Sequence, residues 1–334
     1  MNYYQLLKLN TFINSLRLKL FGIWLLHILN KRYLGVYFDP VMACNLRCKM
    51  CYFTDASYTN NLKGVFKASE IPVWSKALLT RALKLQIGCG TEPTLYPQLL
   101  EVIESAKAQG VPYISLTTNA NLLEKDKIEQ WIQAGLNEIT ISLHGVFKET
   151  YETFMQKGDY HQFVQSLQSI TELKKTYPYF KLRINYTFNE ANFYELSDFW
   201  SVFDTVAIDI LQIRPIQRLG NTAYQNFSMD TIIPIYTKML NYLKKEAHHR
   251  GVSLLAPDAL QLKSGQSTES FLTQFTYCYA SPNYCWRTDF DWKKESFNAY
   301  AKRTNWTTTL LKSCFYSKKQ LQALQNKSLN YQLY

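Results

Sequence analysis

The feature that most constrains the fold is a regular alternation of short apolar runs with longer helical stretches between residues 34 and 214. Six runs have the length and composition of buried strands, at residues 34–38, 83–87, 113–117, 138–143, 181–188 and 208–214. Strands that alternate with helices predict βαβ units with right-handed crossovers, and therefore a parallel sheet. The sequence thus predicts an α/β fold.

Helical spacing of apolar residues fills the segments between these runs. We predict helices at residues 68–82, 97–109, 124–134, 147–176 (one or two helices) and 192–203. Periodicity alone leaves open a doubly wound sheet, a closed barrel and part of a barrel. In each of these folds, active groups are expected at the carboxyl ends of the strands.

The alternation breaks after residue 220, which divides the chain into three predicted parts. Residues 1–33 form a basic amphipathic helix over 3–30, residues 34–220 form the core domain, and residues 221–334 form an extension. The extension begins with a long helix at 229–250 and an apolar run at 252–255, followed by a polar linker-like stretch at 264–270.

The net charge of +11 is concentrated at the two ends of the chain. Residues 1–33 carry +5 without an acid, and residues 292–334 carry +7, so the middle is close to neutral. Basic ends suit nucleic acid, anionic lipid or an acidic substrate, and they are equally consistent with a solvated terminus.

The apolar stretch at residues 20–29 is too short for a bilayer, which takes about 20 residues. We therefore predict no transmembrane span. Packing of the first helix against the body is favoured over contact with a membrane surface, which the basic ends would also support.

The strongest chemical signal is the run CNLRCKMC at residues 44–51, in the loop after the first strand. Thiolates are soft ligands that select iron–sulfur clusters, zinc or copper(I), and the adjacent Arg47 and Lys49 favour thiolate formation. Three close cysteines can hold three corners of a cubane cluster and leave the fourth iron open. A zinc site would instead need a distant fourth ligand, such as His144 or Cys89.

The spacing CxxxCxxC directly after a first strand resembles the signature of the radical S-adenosylmethionine (SAM) superfamily. Four further motifs agree with that family in order along the chain. They are GCGTEPTL at 88–95, TTNA at 117–120, ISLHG at 141–145, and LQIRP at 211–215 with LGN at 219–221. The last of these resembles the SPASM/twitch maturase branch. The resemblance covers about residues 34–221.

The resemblance implies a partial (β/α)6 TIM-like barrel of parallel strands, followed by an α-rich C-terminal extension. It also implies a [4Fe–4S] cluster held by Cys44, Cys48 and Cys51, with SAM bound at the open iron. The SAM-binding candidates are Gly88, Gly90, Glu92, Asn119, Ser142, Asn185 and Arg214. The two glycines would admit the methionine part of SAM, and Glu92 would accept a hydrogen bond from its ammonium group. Turn stabilisation is the alternative for the asparagines and Ser142, and a salt bridge is the alternative for Arg214.

In this family SAM is cleaved reductively to a 5′-deoxyadenosyl radical, which abstracts hydrogen from a substrate. For this chain a peptide or protein substrate is favoured over an anionic glycan, a nucleotide or a lipid-linked substrate. A reductant such as flavodoxin or ferredoxin is implied. The alternative is a non-catalytic iron–sulfur or zinc protein in sensing or electron transfer. Cysteines that are clustered, and not spread as a disulfide framework, favour a reducing cytoplasm.

The chain departs from the family pattern at Met50 before the last cysteine, at Cys89 and Thr91 inserted around the glycines, at Ala120 in place of glycine, and at His144 in place of aspartate. A hydrogen-bonded histidine at a strand end is favoured over a proton donor or sensor. The C-terminal Cys278, Cys285 and Cys314 are candidates for an auxiliary cluster, with Cys89 or the substrate as fourth ligand. Packed, unligated thiols are the default for them.

Overall fold

A nine-stranded sheet forms the centre of the protein in the computed structural model, which describes residues 12–217, 221–259 and 271–323. The strand order is β7-β6-β5-β4-β3-β2-β1-β8-β9. The strands are β1 (Leu34–Phe38), β2 (Ala82–Ile87), β3 (Ile114–Thr118), β4 (Glu138–Leu143), β5 (Lys181–Phe188), β6 (Ile210–Pro215), β7 (Ser253–Leu255), β8 (Tyr277–Ser281) and β9 (Tyr284–Cys285).

All six predicted strands are present, with bounds within two residues of the prediction. Every neighbouring pair from β7 to β8 is parallel, and β9 alone runs antiparallel, to β8. The sheet is open between β7 and β9, so the predicted partial barrel is confirmed.

Helices cover the outer face of the sheet in the predicted alternation. They are α1 (Leu16–Ile28), α2 (Ala56–Thr59), α3 (Ile71–Leu78), α4 (Leu99–Ala108), α5 (Lys125–Ala134), α6 (Lys148–Phe154), α7 (Tyr160–Thr176), α8 (Phe199–Val202), α9 (Ile233–His249), α10 (Thr273–Thr276), α11 (Phe297–Arg303), α12 (Trp306–Ser313) and α13 (Lys318–Ala323). In the described ranges, none of them is both long and apolar enough to cross a bilayer.

Two predicted helices differ in extent from the structure. The one expected over 192–203 is a 3₁₀ segment (Phe193–Ser197) followed by the single turn of α8. The side chain of Asn192 bonds the backbone of Asn189 and Thr187, and such local bonds compete with helix formation. The helix predicted over 3–30 is interrupted: Phe12 is helical, residues 13–15 are not, and α1 begins at Leu16, where the Ser15 hydroxyl accepts a hydrogen bond from Leu18 N–H. Residues 3–11 of that prediction and the stretch 264–270 lie outside the described residues.

The C-terminal extension is helix-rich as predicted, but it also supplies β7, β8 and β9. β7 is the predicted apolar run, whereas β8 was not predicted. β8 lies beside β1 in parallel register, with Val36 opposite Cys278 and Phe38 opposite Ala280. The extension therefore lengthens the sheet at both edges. The domain boundaries at 33/34 and 220/221 stay a prediction.

Alternate strand residues face the interior of the partial barrel, and many of these are polar. Gln86 donates to Thr117 Oγ1 at 2.6 Å and accepts from Ser115 Oγ at 2.7 Å. Deeper in the interior, the fully buried Glu138 pairs with Arg183 at 2.9 Å. Because buried polar groups need partners, this network fixes the inner face while apolar side chains pack beneath the helices.

Candidate functional site

The three cysteines of residues 44–51 lie in the loop that leaves the carboxyl end of β1. Backbone hydrogen bonds tie this loop to the end of α6, from Arg47 N–H to Gln156 O at 2.8 Å and from Lys49 N–H to Phe154 O at 2.9 Å. Cys44 and Cys51 each raise the pKa of the Cys48 thiol, so the three sulfur atoms lie within electrostatic range of one another. The loop brings the predicted trio together.

Burial raises the pKa of all three thiols, that of Cys44 to about 12. Arg47 acts in the opposite direction on Cys44 and Cys51, but the loss of solvent is the larger effect. Arg47 thus acts in the direction predicted from the sequence, but burial outweighs it. In this site a metal has to displace the protons, as metals do when they bind buried cysteines.

Glu92 lies within the same edge, in the loop after β2, and is only 2% exposed. Its Oε1 accepts from Thr94 N–H (3.2 Å), Thr94 Oγ1 (2.7 Å) and Thr118 Oγ1 (2.7 Å). Its Oε2 accepts from Asn119 N–H at 2.8 Å. All of these donors are uncharged, and burial raises the pKa of Glu92. The carboxylate therefore has no positive charge among these partners and keeps acceptor capacity on Oε2.

Asn119 joins the Glu92 loop to the cysteine loop. Its amide donates to Asn45 Oδ1 at 2.8 Å and lies 3.9 Å from Cys44 Sγ, and its Oδ1 accepts from Asn121 N–H at 2.9 Å. A backbone bond from Glu92 N–H to Ala43 O (2.9 Å) makes the same connection. The side chain thus stabilises the turn and also orients the cysteine loop.

The glycine-containing loop after β2 is anchored on Asp39, a buried carboxylate at the end of β1. Asp39 accepts from Cys89 N–H at 2.7 Å, from Gly90 N–H at 3.1 Å and from Thr91 Oγ1 at 3.1 Å. The Tyr279 hydroxyl of β8 donates to the same carboxylate at 2.9 Å. The C-terminal extension therefore reaches the base of the candidate site.

Gly88 and Gly90 have distinct places in this loop. Gly88 has φ +78°, and a Cβ there would lie 2.4 Å from Thr117 O, so close packing against β3 already requires glycine. Gly90 donates its N–H to Asp39, and its carbonyl accepts from the Tyr52 hydroxyl next to the last cysteine of the trio.

Ser142, Asn185 and Arg214 come from three adjacent strands. Ser142 lies opposite Asn185 on the neighbouring strand. Arg214 lies opposite Thr187, which is two residues further along β5 on the same face. Asn185 is buried, and its Oδ1 has no hydrogen-bond partner. Since buried acceptors are nearly always satisfied, this oxygen marks a place for a ligand donor.

His144 lies near Arg214 at the end of β4. Burial and the positive charge of Arg214 lower the pKa of His144 to about 4, so its ring is neutral. Its Nδ1 is buried without a hydrogen-bond partner. The structure therefore meets only in part the prediction of a histidine that is hydrogen-bonded at a strand end. A neutral ring beside a guanidinium avoids repulsion between two cations.

The C-terminal cysteines are only partly brought together. Burial and, after it, Cys285 on the neighbouring strand raise the pKa of the Cys278 thiol. Cys314 lies at the end of α12, where its thiol donates to Leu310 O at 3.5 Å. In the parts of the chain that the structure describes, no three His, Cys, Asp or Glu side chains are placed to bind a single metal ion together. A four-iron cubane needs a different arrangement of ligands, because each thiolate binds a separate iron atom of the cluster.

Fold and loop geometry together define a parallel α/β protein with a cysteine-rich candidate site at its strand ends. Residues 40–187 match the sequence model of the Radical SAM superfamily. This match supports assignment of the chain to that superfamily, whose members use a [4Fe–4S] cluster and SAM. The three thiols of one loop, the buried carboxyl group of Glu92 and the unsatisfied Asn185 Oδ1 have the chemistry that these two cofactors require.

Curated relatives include the "Probable GTP 3',8-cyclase" of Methanocaldococcus jannaschii, which is 26% identical over 187 residues, 55% of this chain and 60% of the relative. The protein of the same description from Saccharolobus solfataricus is 25% identical over 186 residues, 55% of this chain and 58% of the relative. This chain therefore spans about 60% of the length of the curated relatives that it matches.

Solved structures share the fold at low sequence identity. Native anSMEcpe with bound AdoMet and the Kp18Cys peptide has a TM-score of 0.60 at 15% identity, covering 85% of this chain and 84% of that one. Streptococcus suis SuiB bound to S-adenosylmethionine has a TM-score of 0.57 at 16% identity, covering 77% and 61%.

Sequence reasoning missed Asp39, Tyr279 and Asn45 as parts of the site. Asp39 follows the first strand directly and precedes a proline, which is a signal for a strand-end position. Asn45 lies inside the cysteine motif itself. Tyr279 belongs to a strand that the sequence analysis did not predict.

Replacement of Tyr279 by phenylalanine is expected to lower the free energy of unfolding by about 1–3 kcal/mol, because a buried carboxylate loses one of its donors. Denaturant unfolding of the metal-free chain measures this. The affinity of the cluster-loaded protein for SAM should also fall, since Asp39 holds the backbone of residues 89–91. Tyr242→Phe, which removes an exposed bond to Ser197 O (3.0 Å), is the matched control. An unfolding free energy equal to that of the wild type would show that Tyr279 does not support the loop.

Proposed function

We propose that this chain is a radical SAM enzyme in which Cys44, Cys48 and Cys51 hold a [4Fe–4S] cluster with one open iron. With cluster and SAM bound, one-electron reduction cleaves SAM to methionine and a 5′-deoxyadenosyl radical that abstracts hydrogen from the substrate. The observation that carries this proposal is the contact between the cysteine loop and the Glu92 loop. A trio of thiols and a buried carboxylate without a cation share one end of the partial barrel.

Each candidate side chain has a role that follows from its chemistry. Glu92 would hold the ammonium group of SAM, because a buried anion is stabilised by a cation at hydrogen-bond distance. Arg214 would hold the SAM carboxylate or an acidic group of the substrate, which the planar guanidinium can bind at two oxygens. Ser142 and Asn185 would donate to or accept from the ribose hydroxyls. Gly88 and Gly90 would keep the loop backbone close to the methionine part.

The test is formation of 5′-deoxyadenosine after anaerobic reconstitution and addition of SAM and dithionite. We expect the wild-type chain to release 5′-deoxyadenosine and methionine in equal amounts, since one cleavage gives one of each. Protein carried through the same procedure without iron is the control. An intact cluster that yields no 5′-deoxyadenosine would favour the alternative of an iron–sulfur protein in sensing or electron transfer.

We propose a peptide or protein as the substrate. The segment from Arg214 to Asn221, which resembles the maturase branch, supports this; residues 218–220 of it lie outside the described residues. The relatives differ in their described substrates, since the curated ones are described as probable GTP 3',8-cyclases and one SuiB structure contains a precursor peptide.

Hydrogen abstraction distinguishes a peptide substrate from a nucleotide: deuterium from a fully deuterated substrate peptide should appear in 5′-deoxyadenosine. Stimulation of SAM cleavage by GTP alone would instead favour a nucleotide.

We also propose that the chain works in the cytoplasm, which is a reducing compartment. Its electrons would come from a small reductant such as flavodoxin or ferredoxin. All seven cysteines are free thiols, which supports a reducing environment.

A further inference from the structure

Helix α1 carries a row of exposed apolar side chains that the proposed function does not use. The row, here called the apolar stripe, consists of Leu18, Phe21, Leu25, Ile28 and Leu29, which are between 40% and 62% exposed. Spacings of three and four residues place side chains on one side of a helix. Soluble proteins rarely expose a contiguous apolar surface of this kind without a binding role.

The opposite side of α1 already has its packing partners. Leu20 and Ile23 are buried, and the helix packs against α12 of the C-terminal extension. His27 Nε2 lies 3.1 Å from the Thr307 hydroxyl, which fixes the end of the helix on α12. The apolar stripe is thus a second apolar face that the body of the protein leaves exposed.

The described parts of the two basic segments meet beside α1. Ser15 and Leu16 line a cleft together with Tyr316 and Leu321 of the C-terminal part. Phe315, 75% exposed, lies next to that cleft in sequence. Four lysines and arginines of these two segments are exposed: Arg17 on α1, Lys31 just after it, Lys312 on the adjacent α12 and Lys319 on α13. Residues 1–33 and 296–334 contain no Asp or Glu.

The surface lies at the amino-terminal edge of the sheet. Arg81, which directly precedes β2, donates to His27 O and Lys31 O at 3.0 Å, and these residues lead from α1 into β1. The cysteine loop leaves the opposite, carboxyl-terminal edge. A partner on α1 would therefore not cover the candidate cofactor site.

We propose that the apolar stripe and its basic border form a docking surface for an anionic phospholipid bilayer. An exposed apolar face with cations on its own helix, and no acid within residues 12–33 or 296–323, matches the interfacial region of such a bilayer, where acyl chains lie beneath negative headgroups. Nucleic acid would use the cations but not the leucines. The helix lies along the surface, since it is too short and too firmly packed on one side to enter the bilayer.

Co-sedimentation of the full chain with vesicles tests this proposal, and it does not depend on loading of the cluster. We expect binding to vesicles of equal parts phosphatidylcholine and phosphatidylglycerol, and binding about tenfold or more weaker to phosphatidylcholine alone. High salt should weaken the binding, because it screens the cations. The variant Leu18→Gln/Phe21→Gln/Leu25→Gln should lose about tenfold or more in affinity for the anionic vesicles. Glutamine keeps helix propensity and these positions are solvent-facing, so the fold is expected to persist.

The matched control is Tyr179→Gln/Tyr194→Gln, which removes two exposed aromatic side chains elsewhere and should leave vesicle binding unchanged. Circular dichroism and the unfolding midpoint verify that both variants fold. Wild-type chain that does not bind anionic vesicles, or a triple variant that binds like wild type, would overturn the proposal. It would equally be overturned by a wild-type dimer in light scattering that the triple variant converts to monomer, since a second copy would then cover the stripe.

Discussion

Cys48→Ala is expected to abolish the iron cluster and, with it, SAM cleavage. Cys48 is the central member of the trio, and its thiol is influenced by both Cys44 and Cys51. Two remaining thiols cannot fix three corners of a cubane. Iron analysis and absorbance near 400 nm after anaerobic reconstitution measure the loss, and 5′-deoxyadenosine formation should fall to background.

The control for this experiment is Cys314→Ala, which removes a buried thiol that donates to Leu310 O, away from the trio. It should keep the trio's iron, about four atoms per chain for one cubane. About eight irons in the wild type would indicate an auxiliary cluster, and loss of half of them in Cys314→Ala would assign that residue to it. Full iron content and activity in Cys48→Ala would refute the assignment of the trio.

The second large effect is expected for Glu92→Gln. The iron content should stay at the wild-type level, because Glu92 is not a ligand of the cluster in this proposal. The affinity for SAM should fall by about 30-fold or more, since loss of one partner of a buried charge pair typically costs about 2–5 kcal/mol. Equilibrium dialysis of SAM against cluster-loaded protein measures the change.

Glu195→Gln provides a matched control for the carboxylate. Glu195 accepts from Val146 N–H at 2.6 Å, outside the loops that meet the cysteines. Its replacement makes the same change from a carboxylate to a neutral amide at a group that accepts backbone N–H bonds, outside the candidate SAM site. Unchanged SAM affinity in Glu92→Gln would remove Glu92 from the binding site, whereas equal losses in both variants would point to a general loss of stability.

The strands and the motif positions could be predicted because each depends on local sequence. Apolar runs such as 138–143 are bounded by turn residues, and the polar groups of a parallel α/β sheet collect at one edge. Prediction of the cysteine trio required only the spacing within eight residues. The proton state of these thiols could not be predicted, because burial by the rest of the fold outweighs the neighbouring Arg47.

The Asp39–Tyr279 contact could not be predicted, since it joins residues 240 positions apart. Nothing in the short run at 277–281 distinguishes a sheet strand from a loop. Its pairing with β1 depends on how the C-terminal extension folds back onto the edge of the sheet. The exposure of the apolar stripe on α1 could not be predicted either, because it depends on tertiary packing. The sequence shows apolar residues on both sides of the helix and does not indicate which side packs on the body.

The position of β8 beside β1 has a consequence for biosynthesis. During translation β1 emerges from the ribosome early, but its second neighbour is not made until residue 277. Until then one side of β1 exposes unpaired backbone groups, and Asp39 lacks the Tyr279 hydroxyl. Because domains fold as their last contacting element becomes available, the nascent chain completes this edge late. Assembly of the proposed cluster is therefore expected to follow the synthesis of β8.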